Sequence, residues 1–307
     1  MTNDTKRRAE LASVEAGLVQ TPFPPSVILD TANLCNYRCP GCARGLMTRG
    51  QGKMPVALAK KILDEVGQTA PDTKLWLTFY GEPTLIADRV AYLAQYAAKR
   101  GCRDIRLNTN ASRLSPDASE VLLDCGITDI ILSLDAVTPA VYDLVRHPAF
   151  FDKVTQNSLF LIRRAKEIGS NVRIHAQFVN GPKNAHELSA FSQRWLDEGV
   201  SVKIKDYIHW TVPVDDPQPL WRIACPWAFT TFVALWDGQV ACCGADFDAR
   251  HCHGNLYQNN ISELWNGPMR AFRELHLRHQ FKSLPDICSS CGDWNVTISE
   301  VRCAPPS

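Results

Sequence analysis

Between residues 26 and 208 the chain alternates two kinds of apolar pattern. Short runs rich in aliphatic and β-branched residues, SVILDTA, KLWLTFY, DIRLNTN, DIILSLD, VRIHAQFV and VKIKDYI, have the length and composition of strands. Between them lie PVALAKKILDEVGQ, RVAYLAQYAAKRG, SPDASEVLLDCG and FDKVTQNSLFLIRRAKEIG, whose apolar positions recur at helical spacing. Strands separated by helical stretches of roughly 10–15 residues imply βαβ units and a parallel sheet. Six such units predict an α/β fold, a partial (βα)6 TIM-like barrel over residues 26–211. In barrels the chemistry gathers at the C-terminal ends of the strands.

The flanks read differently. Residues 1–25 form a polar, partly helical N-terminal extension. Prolines and aspartates in VPVDDPQP mark a linker over 212–224. Beyond it, residues 225–307 predict a small C-terminal domain. In it TFVALWDGQVACC forms a β-hairpin turned at Asp237–Gly238, followed by the helical stretch ISELWNGPMRAFRELHLRHQF and the knuckle CSSC.

Composition narrows the chemistry. The formal charge of +1 offers no basic field for nucleic acid. No run approaches the ~20 apolar residues of a membrane span, and the N-terminus lacks a signal-peptide core, so a cytoplasmic protein is expected. In a reducing compartment twelve cysteines are a poor disulfide framework, and clustered ones point to metal or redox chemistry.

Two clusters stand out. Cys35, Cys39 and Cys42, in LCNYRCPGC, follow the first strand at the catalytic end of the barrel. The spacing alone admits a zinc knuckle completed by a distant ligand, or a [4Fe–4S] cluster held by three thiolates with one iron open. Cys225, Cys243, Cys288 and Cys291 supply four ligands, enough for a closed zinc or iron–sulfur site. Cys242 and Cys243 are adjacent on a predicted strand, so their side chains should face opposite ways and only one should ligate.

C-x3-C-x2-C after the first barrel strand, with FYGEPTL after the second, resembles the radical S-adenosylmethionine (SAM) superfamily. The second set, read as Cys225-x12-Gly238-x4-Cys243 and then C-x2-C, resembles that superfamily's SPASM or twitch domain, and its glycine spacing favours Cys243. The resemblance implies two [4Fe–4S] clusters, one binding SAM and one auxiliary. It implies that Gly81, Glu82 and Pro83 hold the SAM amino group, with Tyr80 where relatives carry a further glycine. Asn108, at the end of the third strand, would contribute to SAM binding, Ser133 and Asp135 would meet the ribose, and Arg146 the SAM carboxylate. Ser133 and Asp135 have a second reading as caps of the next helix. Gly41 departs from the family, which usually places an aromatic residue there.

The chemistry implied is reductive cleavage of SAM, then removal of a hydrogen atom from an unactivated C–H bond by the adenosyl radical. The second cysteine set resembles those of the aminocyclitol dehydrogenase of butirosin biosynthesis and of aminoglycoside epimerases such as that of neomycin biosynthesis. Epimerisation needs a hydrogen donor, for which Cys252, between His251 and His253 in a polar loop, is the candidate; dehydrogenation to a ketone is the alternative. Cys102 and Cys125 read as core residues, and Cys303 as an incidental tail residue. Asp206, Tyr207, His209, Asp215 and Asp216 could bind hydroxyl and ammonium groups, so a small sugar or aminocyclitol is the expected substrate. A peptide is the alternative, disfavoured by a lead-in too short for a leader-binding domain. The implied electron donor is a flavodoxin or ferredoxin. From another class, the competing expectation is a zinc-binding interaction protein.

Overall fold

The computed structural model describes residues 3–210, 222–295 and 300–302. Asp215, Asp216 and Cys303 lie outside the described residues. Six strands stand side by side in chain order, all parallel: β1 (Ser26–Leu29), β2 (Lys74–Trp76), β3 (Asp104–Thr109), β4 (Asp129–Ser133), β5 (Arg173–Asn180) and β6 (Ser201–Asp206). Helices Val56–Thr69, Ala87–Lys99, Pro116–Asp124, Phe151–Glu167 and Leu188–Asp197 connect them. Their apolar stripes pack on the sheet: Leu58, Ala59, Ile62, Leu63 and Val66 make the buried face of the first.

The C-terminal segment does not stand apart from this sheet. β7 (Thr231–Ala234) pairs in parallel with β1, aligning Thr231 with Ser26. β8 (Gln239–Ala241) and β9 (Cys252–Asn255) extend the same edge with antiparallel pairs. β10 (Glu300–Arg302) pairs antiparallel with β6 on the other side. An open partial barrel leaves both edges with unpaired backbone groups, and these added strands satisfy them. The N-terminal extension is likewise docked. From helix Asn3–Ala16, Leu11 packs with Ile223 and Trp294, and Glu15 accepts from the Ala224 amide at 2.6 Å.

The sheet's alternation decides what the barrel encloses. Val202 and Ile204 of β6 join the helix-covered core with Phe191 and Trp195, leaving Lys203 and Lys205 on the inner face. Deeper in the barrel, the buried carboxylate of Asp129 accepts from Arg173 and His175, both at 2.9 Å through the same oxygen, and from Thr128. Burial opposes its charge, yet the bonds from His175, Arg173 and Thr128 hold it below the ordinary carboxylate range.

Candidate active site

The cysteine loop after β1 is built against the loop after β2. Gly81 packs so closely that a Cβ there would stand 1.9 Å from the Ala32 carbonyl oxygen. The Glu82 amide donates to the Leu34 carbonyl at 2.7 Å, directly before Cys35. The Glu82 carboxylate is buried and accepts four bonds, from the Thr84 amide and hydroxyl, the Thr109 hydroxyl and the Asn110 amide, at 2.6–3.0 Å. Gly81, Glu82 and Pro83 therefore brace the loop, and none of the three lines the cavity beside it. Asn110 continues the brace by donating to the Cys35 sulfur at 3.9 Å.

That cavity has a volume of about 710 Å3 and opens at the C-terminal ends of the strands. Cys39 and Cys42 line it, as do Asn108, Ser133, Asp135 and Arg146. Ser133 donates to the Asn108 side-chain oxygen at 2.6 Å. Thr138, not Ser133 or Asp135, caps the next helix, Pro139–Val145, so the capping reading is corrected. Asp135 holds a left-handed backbone (φ 61°), a conformation commoner for aspartate than for most residues, and accepts from the Val179 amide at 2.7 Å. It also pairs with the Arg146 guanidinium, which donates in turn to the Cys39 sulfur at 3.8 Å. The Arg146 Nε is buried without a hydrogen-bond partner, a donor left over for a ligand.

Gly41 faces the ring of Tyr207, which would stand 2.9 Å from an added Cβ, and its carbonyl accepts from Trp210 at 2.9 Å. An aromatic side chain from the end of β6 thus occupies the place where the sequence lacks one. Tyr80 also lines the cavity, and its hydroxyl donates to the Gly244 carbonyl at 2.6 Å. The residue that departs from the family's glycine therefore ties the barrel to the chain beside Cys243.

The second set encloses a smaller cavity of about 30 Å3, lined by Cys225, Cys243, Cys288 and Cys291. One expectation fails there. Strand β8 ends at Ala241, so Cys242 and Cys243 sit past it and need not face opposite ways. The buried Cys242 thiol lies within hydrogen-bonding reach of Cys243 and Cys288, while Cys243 lines the cavity. Arg222 clamps the CSSC turn by donating to the carbonyls of Cys288 and Ser289 at 2.7 and 3.1 Å. His276 completes the lining, with Nε2 buried and unpartnered. Sequence reasoning singled out neither, because a lone arginine or histidine carries no spacing signal.

Cys252 opens strand β9 instead of sitting in a loop, since it pairs with Ala241 of β8. It is exposed, its thiol donates to the Ala249 carbonyl at 3.3 Å, and it is not among the residues lining the large cavity. Cys102 and Cys125 are buried in the main core, as expected. Asp206, Tyr207 and His209 line the cavity mouth.

Both thiol sets suit thiolate-bound iron–sulfur clusters. Burial, together with Glu82, Cys39 and Cys42, pushes the Cys35 thiol up to about 11. Burial, with the neighbouring Asp293 and Cys243, pushes Cys291 up to about 12. Burial and the same crowding raise Cys225 as well. Crowded thiols that resist ionisation alone ionise when a cationic core neutralises them. Among the described residues no three potential ligands converge tightly enough for a single metal ion. The four thiols of the second set line one small cavity.

A partial barrel with three thiols at its catalytic end and four on its extended edge presents two unequal cysteine sites. Residues 30–191 match the Radical SAM superfamily and residues 225–292 match the SPASM iron–sulfur cluster-binding domain. The chain belongs to the radical SAM superfamily. Its cofactors are accordingly SAM with a SAM-binding [4Fe–4S] cluster, and the SPASM segment implies auxiliary iron–sulfur binding.

An uncharacterised protein of Treponema pallidum is 22% identical over 263 residues, covering 78% of this chain and 70% of its own. The mitochondrial GTP 3′,8-cyclase of Arabidopsis thaliana is 25% identical over 177 residues, 57% of this chain and 44% of the cyclase; the chain thus spans less than half of that relative. Among solved structures, BtrN in complex with AdoMet and 2-DOIA superposes with a TM-score of 0.58 at 19% identity, covering 87% of this chain and 92% of BtrN. Streptococcus suis SuiB bound to SAM gives 0.63 at 14% identity, over 95% and 76%. These structural likenesses establish the fold. No helix among the described residues is long and apolar enough to cross a membrane.

Proposed function

We propose that the protein oxidises a carbinol carbon of a polar small molecule, a sugar or cyclitol, to a ketone. The observation that carries this reading is the position of the second thiol site. Cys225 lines the small cavity, while the next residues, Pro226, Trp227, Thr230 and Thr231, line the large one. One short helix, Pro226–Thr230, is the wall between them. SAM and the cluster held by Cys35, Cys39 and Cys42 would supply the radical chemistry that removes a hydrogen atom, and a cluster held by Cys225, Cys243, Cys288 and Cys291 would supply a sink for the electron that leaves with the hydroxyl proton.

The chain's own residues orient these partners. Cys35, Cys39 and Cys42 hold the SAM-binding cluster. Arg146, fixed by Asp135, offers its spare donor to the SAM carboxylate. Asn108 and Ser133 present a paired amide and hydroxyl to the ribose. Cys225, Cys243, Cys288 and Cys291 hold the auxiliary cluster. Reduction comes from a flavodoxin or ferredoxin in a cytoplasmic setting.

Epimerisation requires a hydrogen donor at the substrate, and Cys252 stands on β9 with its thiol turned to Ala249. Among the described residues, the thiols on the large cavity are Cys39 and Cys42, both assigned to iron. Cys252→Ala is therefore expected to keep wild-type turnover, yielding a ketone that matches 5′-deoxyadenosine one to one. A variant that still cleaves SAM but forms no product, beside a wild-type product carrying one solvent deuterium at an inverted carbon, would establish epimerisation instead. A peptide substrate is the competing reading, and SuiB bound to its precursor peptide SuiA superposes on this chain with a TM-score of 0.63.

A further inference from the structure

Two lysines on the inner face of β6 are outside the residues assigned above to SAM and to the thiol sites. Lys203 and Lys205 both line the large cavity, two residues apart on one face of the strand. Neither forms an ion pair with a carboxylate among the described residues. Lys203 lies over the Trp76 ring, its Nζ 5.0 Å from the centroid, with the Arg106 guanidinium over the same ring at 5.6 Å. The cavity's buried carboxylate, Asp135, is already engaged by Arg146 and the Val179 amide.

The balance of charge is thus one-sided. Lys183, Lys203, Lys205 and Arg146 face the cavity against Asp135 and the exposed Asp206. Burial, reinforced by Lys205, Arg106 and Lys74 and opposed by the Asp129 carboxylate, pushes the Lys203 ammonium down to about 7. Burial also lowers Lys205, despite the attraction of Asp135. Half-buried cations that form no ion pair are costly, and they persist where a ligand brings a partner charge. An aminosugar ammonium would add to this excess instead of relieving it.

We propose that the substrate is an anion whose carboxylate or phosphate seats between Lys203 and Lys205: an acidic or phosphorylated sugar or cyclitol, not a cationic aminosugar. The proposal rests on the reading of this cavity as the substrate site and sharpens its substrate class. Trp76 supplies an apolar face beside the seat, and Arg146 lies on the part of the cavity assigned to SAM. The carbon to be oxidised is then held between the oxyanion seat and the Cys39–Cys42 side.

The test is calorimetry on the reconstituted holoprotein with SAM, at constant ionic strength, titrating inorganic phosphate, malonate, myo-inositol and glucosamine separately. Phosphate or malonate should bind, and glucosamine should not. A preference between the two separates a phosphorylated from a carboxylated substrate. Lys203→Met and Lys205→Met should each weaken oxyanion binding at least about tenfold, while Lys205→Arg retains most of it. Failure of wild-type protein to bind either anion, or equal binding by the methionine variants, overturns the proposal. The measurement is independent of turnover. A protein that binds oxyanions through these lysines yet forms no ketone would defeat the dehydrogenase reading and leave this one standing.

Discussion

Gly81→Ala is expected to strip iron from the barrel cysteines and to abolish measurable SAM cleavage. The added methyl would stand 1.9 Å from the Ala32 carbonyl oxygen and 2.8 Å from that of Leu34, and backbone cannot yield as a flexible side chain can. Those carbonyls belong to the segment that leads into Cys35, so relieving the clash moves the ligand. The stability loss should be ~3 kcal/mol or more, in the range of severe overpacking. A thermal scan beside an iron assay checks both effects. Wild-type melting with full iron would mean that the two loops do not brace each other. Glu82→Gln is the milder companion. It keeps the shape but removes the charge from four hydrogen bonds, at about 1–3 kcal/mol.

Arg146→Ala should weaken SAM binding at least tenfold and destabilise the protein. Removing one partner of a buried ion pair leaves the other charge unpaired, which costs ~3–5 kcal/mol. Asp135 is that partner, buried and already held in a left-handed conformation. The double variant Arg146→Ala with Asp135→Asn separates the two roles. Stability should largely return, because no charge is stranded, while SAM affinity should stay low. Equilibrium SAM binding and a denaturant titration give the two readings. A double variant that binds SAM like the wild type would remove Arg146 from the SAM site.

The parallel strands were legible because each is a short aliphatic run between helical repeats, a local signal that tertiary packing did not override. The extension of the sheet was not. The pairing of Thr231 with Ser26 joins residues distant in the chain, and the hairpin around Asp237–Gly238 shows only its own turn. CHGN lacks apolar alternation and so reads as loop, although Cys252 pairs with Ala241 on an edge strand. At the site, cysteine spacing marked two metal sites, and iron–sulfur chemistry followed from their order along the chain with FYGEPTL. The position of Glu82 behind the cavity was hidden, because its partners Thr84, Thr109 and Asn110 converge only once β3 is placed. VKIKDYI announced an amphipathic strand, but which face looks inward depends on helices covering the outside. That is why Lys203 and Lys205 emerged only from the folded chain.

The most direct measurement is of iron, zinc and 5′-deoxyadenosine on anaerobically purified, reconstituted protein. The protein should hold about eight irons per chain and little zinc, and form 5′-deoxyadenosine on reduction with SAM. In the Cys35→Ala, Cys39→Ala, Cys42→Ala triple variant about four irons should remain and no 5′-deoxyadenosine should form. Stoichiometric zinc in place of iron, or SAM cleavage that survives the triple substitution, would contradict the two-cluster assignment.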